Sequence, residues 1–400
     1  MLMLLPIMAS SETVEIDGIC YSLITNANQA EVTKNPKGYS GKVTIPSSFI
    51  YNGTEYKVTS IGEWSFYNSN GLTSVSIPNS VTSIGSRAFY SCSDLKSANI
   101  PNSVTNIELE AFASCSALTS IDIPNSITIL RIGTFSGCAG LTSINIPNSV
   151  TSIESNVFSG CIGLTSVTIP NSVVSIGGAA FYGCTGISSL TIGTSVITTG
   201  ASVFRGCKSL TSVIIPNSMT SIADYAFADC TSLNSVTIGS NVNTIGGHAF
   251  YKCTGLTSII IPNGVTRIGS DAYSGCSGLV SILIGNAVNR ISHLVFYDCK
   301  DLKDVYCLAE QVPIAEYDIF NNSNIESATL HVPESSIESY RAEKPWNKFK
   351  DIVVFDEQSS VQSITFDKNS NSPIYNINGR NMEKPCKGIN IIGGKKFIMK

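Results

Sequence analysis

Ten cysteines recur at a fixed interval of 23 residues, from Cys92 through Cys115, Cys138, Cys161, Cys184, Cys207, Cys230, Cys253 and Cys276 to Cys299. A chain of 400 residues would ordinarily divide into globular domains, but fixed-period self-similarity means growth by stacking identical coils. Aligned on the cysteines, one coil reads F-x-x-C-x-x-L-x-x-V-x-I-P-N-x-V-x-x-I. Phe stands three before Cys in nearly every copy, with Tyr273 the substitute, and Leu stands three after it, with Ile187 the exception.

Phe, Cys and Leu at i, i+3 and i+6 share one side of a three-per-turn helix, which predicts a short 3₁₀-like inward-facing turn. The period then changes. Val167 and Ile169 alternate with Ser166 and Thr168, the pattern of a half-buried strand. Pro170 lacks the N–H to continue a ladder, and Pro-Asn suits a tight turn. One coil cannot close a core alone, but stacking buries each column against itself. The expected fold is a repeat solenoid with a parallel β-sheet of about twelve coils and 3₁₀ or irregular outer turns. A small β cap is expected at the N-terminus and a short helical cap at the C-terminus.

The L-x-x-V-x-I-P-N-S-V-x-x-I-G…A-F-x-x-C blocks, such as Leu141 to Cys161, resemble the BspA-type leucine-rich repeats over about residues 40 to 355. The resemblance implies a non-enzymatic, cell-surface or secreted protein that adheres to host matrix proteins or to other cells. Gly193, Gly239 and Gly285 replace the turn proline 46 residues apart, with Pro216 and Pro262 between them, as duplication of a two-coil unit would produce.

The chain divides into an apolar leader at 1–10, a β cap at 11–62, the solenoid at 63–333, a cap at 334–355, a linker at 356–371 and a β tail at 372–400. MLMLLPIMASS reads as part of a secretory signal. Asn52-Gly53 is the strongest hairpin signal. Ser335 or Ser336 is placed to N-cap a helix that Pro345 stops, with Ile337, Tyr340, Trp346 and Phe349 covering the last coil. Gly379-Arg380, Lys387-Gly388 and the closing Lys-Lys-apolar run resemble the C-terminal sorting domain of type IX secretion, which implies surface anchoring. Gly393-Gly394 predicts a hairpin.

Charged residues are only 14% of the chain and the net charge is −4, with no Lys/Arg run in the repeats. That argues against nucleic acid as a partner. No run of 18 apolar residues exists, so no membrane span is expected.

The cysteines invite a metal or disulfide reading, but zinc ligands pair across two to four residues. Stacked thiols project in the same direction, which disfavours bridges between neighbours. A column of buried structural thiols is expected instead, without metal or cofactor. His248, His293 and His331 show no carboxylate or hydroxyl partner at a recognisable spacing, and no G-x-S-x-G, P-loop or H-E-x-x-H motif is present. No catalytic residue is assigned. Tyr90, Tyr182, Tyr251 and Tyr297 lie on the outer turn, where aromatics either stack on sugars or shield the backbone.

The exposed strand positions remain. Seven after each Cys, the residue changes from polar, as at Thr168, to apolar at Ile214, Ile260, Leu283 and Tyr306. An exposed apolar row marks an interaction patch. These four residues, with Ser166 and Thr168, form the candidate ligand-binding set. The expected partner is a protein. A glycan held by the hydroxyl-rich face, or a purely structural surface-layer role, are the alternatives.

Overall fold

The computed structural model describes residues 12–355, together with the strands Ile374–Asn376, Asn381–Met382, Gly388–Ile392 and Lys395–Met399. The chain forms two compact units, Met1–Gly163 and Leu164–Lys400. Each is a stack of parallel β-coils, and together they hold about thirteen turns among the described residues.

The first unit opens with a hairpin, Thr13–Ile16 against Ile19–Ile24, which Gln29–Val32 extends. A second hairpin pairs Ser48–Tyr51 with Thr54–Ile61. Its turn is Asn52-Gly53, both at positive φ (50° and 77°), as a two-residue type I′ turn requires. The far end of Thr54–Ile61 pairs in parallel with Ser83–Ile84, and that strand with Asn106–Ile107. The cap sheet therefore runs straight into the array and covers its otherwise open end. Ser40–Thr44 also pairs in parallel with Gly71–Ser76, so parallel pairing reaches back into the segment read as cap.

Within a coil, the Phe-x-x-Cys-x-x-Leu stretch closes successive i→i+3 bonds. The Cys92 N–H donates to Phe89 O at 3.2 Å and the Leu95 N–H to Cys92 O at 3.1 Å. The residue before Cys takes a positive φ, as at Gly137, Gly160, Gly183, Gly206 and Gly275, which explains the frequent Gly-Cys pair. The Phe rings stack face to face through each unit: Phe89 and Phe112 lie 4.9 Å apart, and Phe204 and Phe227 5.4 Å apart. Every described cysteine is buried, and none is assigned to a disulfide. The Cys115 S–H donates to Phe89 O at 3.1 Å and the Cys253 S–H to Phe227 O at 3.1 Å, so each of these thiols is anchored to the coil before it.

The second unit ends on a continuous five-stranded parallel sheet of Ser258–Ile261, Ser281–Ile284, Asp304–Cys307, Thr329–Val332 and Asp351–Val354. The short helix Ile337–Ala342 lies between the last two strands. Ser336 occupies its N-cap position, but the side-chain hydroxyl donates to Pro333 O at 3.3 Å instead of capping. Trp346 and Phe349 meet Phe320 edge-on at 5.7 and 5.1 Å and close the ring stack. Tyr340 is buried with them, and its O–H donates to Ala309 O at 2.8 Å.

In the tail, Gly388–Ile392 pairs antiparallel with Lys395–Met399, with Ile392 opposite Lys395 across the expected hairpin. The segments read as a leader at 1–10 and a linker at 356–371, and the Gly379-Arg380 and Gly393-Gly394 dipeptides, lie outside the described residues. No helix among the described residues is long and apolar enough to cross a membrane.

Candidate functional site

From Ser166 to Thr237 the outward strand face is built by coils that pair two by two, between a three-stranded sheet near the start of the array and a five-stranded one at its end. In the first unit Gly71–Ser76 pairs with Ser97–Asn99, and Asp122 bridges Asn145. In the second, Ser166–Thr168 and Ser189–Thr191 form one two-stranded sheet, and Ser212–Ile214 and Ser235–Thr237 another. Between Ser166 and Thr237 the 46-residue sequence period therefore coincides with a period of packing.

In the second unit the turn glycines permit a close approach within each pair. A methyl group on Gly193 would stand 2.5 Å from Pro170 O, and one on Gly239 2.7 Å from Pro216 O. Lacking a side chain, each glycine coil settles onto the proline coil before it. Asn side chains fasten the pair: Asn171 Oδ1 accepts from the Thr194 N–H, and Asn217 Oδ1 from the Ser240 N–H, both at 2.8 Å. Between pairs, Pro216 has no N–H to offer the Gly193 coil. The inward residues of the second strands, Leu190 and Val236, are accordingly half-buried, whereas Val167, Val213 and Ile259 are buried.

One cleft of about 460 Å³ opens on this face around Ile214 and Pro216. Thr191 and Thr194 flank it from the coil before, Thr237 and Gly239 from the coil after, and its whole lining is uncharged. Ile214 is 50% exposed.

The remaining predicted apolar residues do not join it in one patch. Leu283 is only 3% exposed, which corrects the expectation that it faces solvent. Ile260 and Tyr306 are half-buried. The Tyr306 ring stacks on His331 at 4.2 Å and meets Phe355 edge-on at 5.9 Å. The C-terminal cap thus shelters the end of the apolar row that sequence periodicity had left open. Ser166 and Thr168 are exposed, in register with Ser189 and Thr191, and Thr191 continues that row into the cleft.

The thiols are held inert. Burial pushes the Cys92, Cys138, Cys230 and Cys276 thiols up to about 12, far from the thiolate that a nucleophile or metal ligand requires. The expectation that the histidines lack carboxylate partners is overturned. His248 lies 3.7 Å from Asp271, His293 lies 3.3 Å from Asp318, and His331 lies 3.0 Å from Asp304. The His248–Asp271 spacing is one coil, a signal that the repeat length itself carried. Among the described residues no His, Cys, Asp and Glu group is arranged to hold a metal ion.

On the outer turn of the first unit Tyr90 joins Trp64 and Tyr67, with the Arg87 guanidinium 4.9 Å above the Trp64 ring. Tyr251 packs on His248 with Lys252 above it, while Tyr182 and Tyr297 are exposed.

A family profile described as the BspA type leucine rich repeat region, in six copies, matches residues 46–165, 128–257 and 244–372. Among solved structures the chain is similar to a leucine rich cell surface protein from Faecalibacterium prausnitzii, at 28% identity and a TM-score of 0.51, covering 88% of this chain and 96% of that one. It is also similar to the pneumococcal vaccine antigen PcpA, at 19% identity and a TM-score of 0.54, covering 86% and 99%. A leucine-rich repeat protein from Bacteroides ovatus is 26% identical with a TM-score of 0.49, covering 86% and 100%. No curated protein matches the chain significantly.

Proposed function

We propose, from the premise that this chain belongs to the BspA-type leucine-rich repeat family, that it is a non-enzymatic binding module displayed on the cell surface or secreted. Its strand face holds a protein ligand, a host matrix protein or a surface protein of another cell. The observation that carries this reading is the strand-face cleft at Ile214, a half-exposed isoleucine among hydroxyl residues. The similarity to a cell surface protein from F. prausnitzii supports the location. The tail at 372–400 serves as a sorting or anchoring segment, and the leader at 1–10 contributes to export.

Two experiments test this. Solid-phase binding of the full chain to immobilised matrix proteins, with glycans in parallel, should give saturable capture by a protein. Capture by glycans alone would move the function to the second reading, carbohydrate recognition, which the exposed Tyr67 beside Trp64 and Tyr90 favours. Self-assembly without any ligand would favour a structural surface-layer role. Fractionation of cells expressing the chain with and without residues 372–400 tests the tail: loss from the surface is expected on deletion, and unchanged display refutes the anchoring role.

A further inference from the structure

We infer that Arg267 and Arg290 together bind one phosphate group, on a sheet separate from the one that carries Ile214. The two arginines stand at the same position of successive coils, V-T-R-I and V-N-R-I, 23 residues apart. Arg267–Ile268 pairs in parallel with Arg290–Ile291, and Arg267 lies directly opposite Arg290. Adjacent parallel strands are about 4.8 Å apart. Both arginines are exposed while Ile268 and Ile291 are buried, so the two guanidiniums leave the same face of the sheet.

The chain itself does not neutralise them. Six arginines lie among the described residues, and four pair with a carboxylate: Arg87 with Glu110, Arg131 with Glu154, Arg205 with Asp229 and Arg341 with Glu338. Arg267 and Arg290 are the two whose guanidiniums have no ion-pair or hydrogen-bond partner among the described residues. The carboxylates that follow in these coils are turned elsewhere. Asp271 lies 3.7 Å from His248, and Glu316, two residues after the Ile314 that pairs with Arg290, lies 3.9 Å from His293. Like charges directly opposite on neighbouring strands are destabilising, and a bound anion would relieve that cost.

Charge and shape select the anion. Each guanidinium presents a planar fork of N–H donors that bonds two oxygens of a phosphate at once. A phosphate monoester carries about −1.5 to −2 charge and three acceptor oxygens, enough to serve both forks. A carboxylate has two oxygens and a single charge, and leaves one guanidinium uncompensated. The cationic run stops at two, because Thr244 flanks Arg267 and Ile314 flanks Arg290 in the same sheet. A polyanionic strand would find no further charge to follow, so the site fits one group. The Thr244 hydroxyl already donates to Asn243 Oδ1 at 2.9 Å, which leaves the guanidiniums as the donors. Their exposure makes the attraction salt-sensitive.

The test follows the side-chain N–H signals of isotope-labelled arginine in the full chain at low ionic strength. Inorganic phosphate is titrated in, with sodium chloride and sodium acetate at matched ionic strength as controls. The Arg267 and Arg290 signals should shift together and saturably with phosphate, while those of Arg87, Arg131 and Arg205 stay still. Arg290→Gln should weaken the phosphate response of Arg267 by about tenfold, the usual worth of hydrogen bonds to a charged group. Arg131→Gln should leave it unchanged. An equal response to chloride or acetate, a uniform shift of all the arginines, or undiminished binding by Arg290→Gln overturns the inference. Methyl phosphate separates the two sources of the group. Binding as tight as that of inorganic phosphate upholds a site open to a phosphate ester on a larger ligand, and binding of inorganic phosphate alone upholds a site for the free ion. The strand-face cleft takes no part in these measurements, so the binding-module reading stands or falls separately.

Discussion

Gly239 sits so close beneath Pro216 that a methyl group on it would stand 2.7 Å from the proline carbonyl oxygen. The contact is backbone against side-chain space, so no flexible group can move aside. Gly239→Ala should therefore destabilise the fold by about 1–3 kcal/mol, the usual cost of overpacking. Denaturant titration measures it, and a midpoint equal to wild type would show that the coil pairs are not held by this approach.

The same pairing makes a prediction about local opening. Amides bonded only within a two-stranded sheet are less protected than those inside a continuous one. Hydrogen exchange at Ser189–Thr191 and Ser235–Thr237 should be faster than at Ser281–Ile284, which has a strand on each side. Equal protection along the array would contradict a two-coil packing unit.

Leu283 and Ile214 occupy the same column of the repeat but should respond oppositely to truncation. Leu283 is buried, so Leu283→Ala should cost about 2–5 kcal/mol of stability. Ile214→Ala, at a half-exposed position, should fall within about 0.5 kcal/mol of wild type. Thermal melts of the two variants check this, and comparable losses would place Ile214 in the core.

The thiol column should make the fold sensitive to alkali. Burial raises the Cys92, Cys138, Cys230 and Cys276 thiols from 9.0 to about 12 in the folded chain. The folded state then keeps protons that the unfolded state releases, so stability falls as pH rises from about 9 toward 12. The melting temperature should drop across that window, and Cys138→Ala should lessen the slope. At pH 8 these thiols should resist alkylation until the chain is unfolded; rapid labelling of the native protein would sink the buried-column account.

Tyr273 stands in the Phe column with its hydroxyl buried and without a hydrogen-bond partner among the described residues. Desolvation of that group is a cost that Phe, the usual residue of the column, does not incur. Tyr273→Phe should raise stability by about 1–3 kcal/mol. A lower melting temperature would mean that the hydroxyl has a bound partner.

The fold was legible because a repeat states its packing ten times over. The Phe, Cys and Leu columns could only be buried by stacking, and Asn52-Gly53 could only be a tight hairpin. The buried thiols followed from the same logic, since one side chain per coil in a core column has no room for chemistry. The candidate site was less legible. Periodicity assigns a residue to a face but does not say what later covers that face. Leu283 and Ile214 share one repeat position, yet Leu283 is buried and Ile214 is half-exposed. Nor does a 46-residue alternation of Gly and Pro reveal, as a string, that it breaks a strand ladder and opens a cleft. By itself the sequence determined the coil, its inward columns and their stacking, because these repeat locally and identically. Tertiary structure decided which exposed residue stays available to a ligand, because that depends on how closely successive backbones approach and where the chain end folds back.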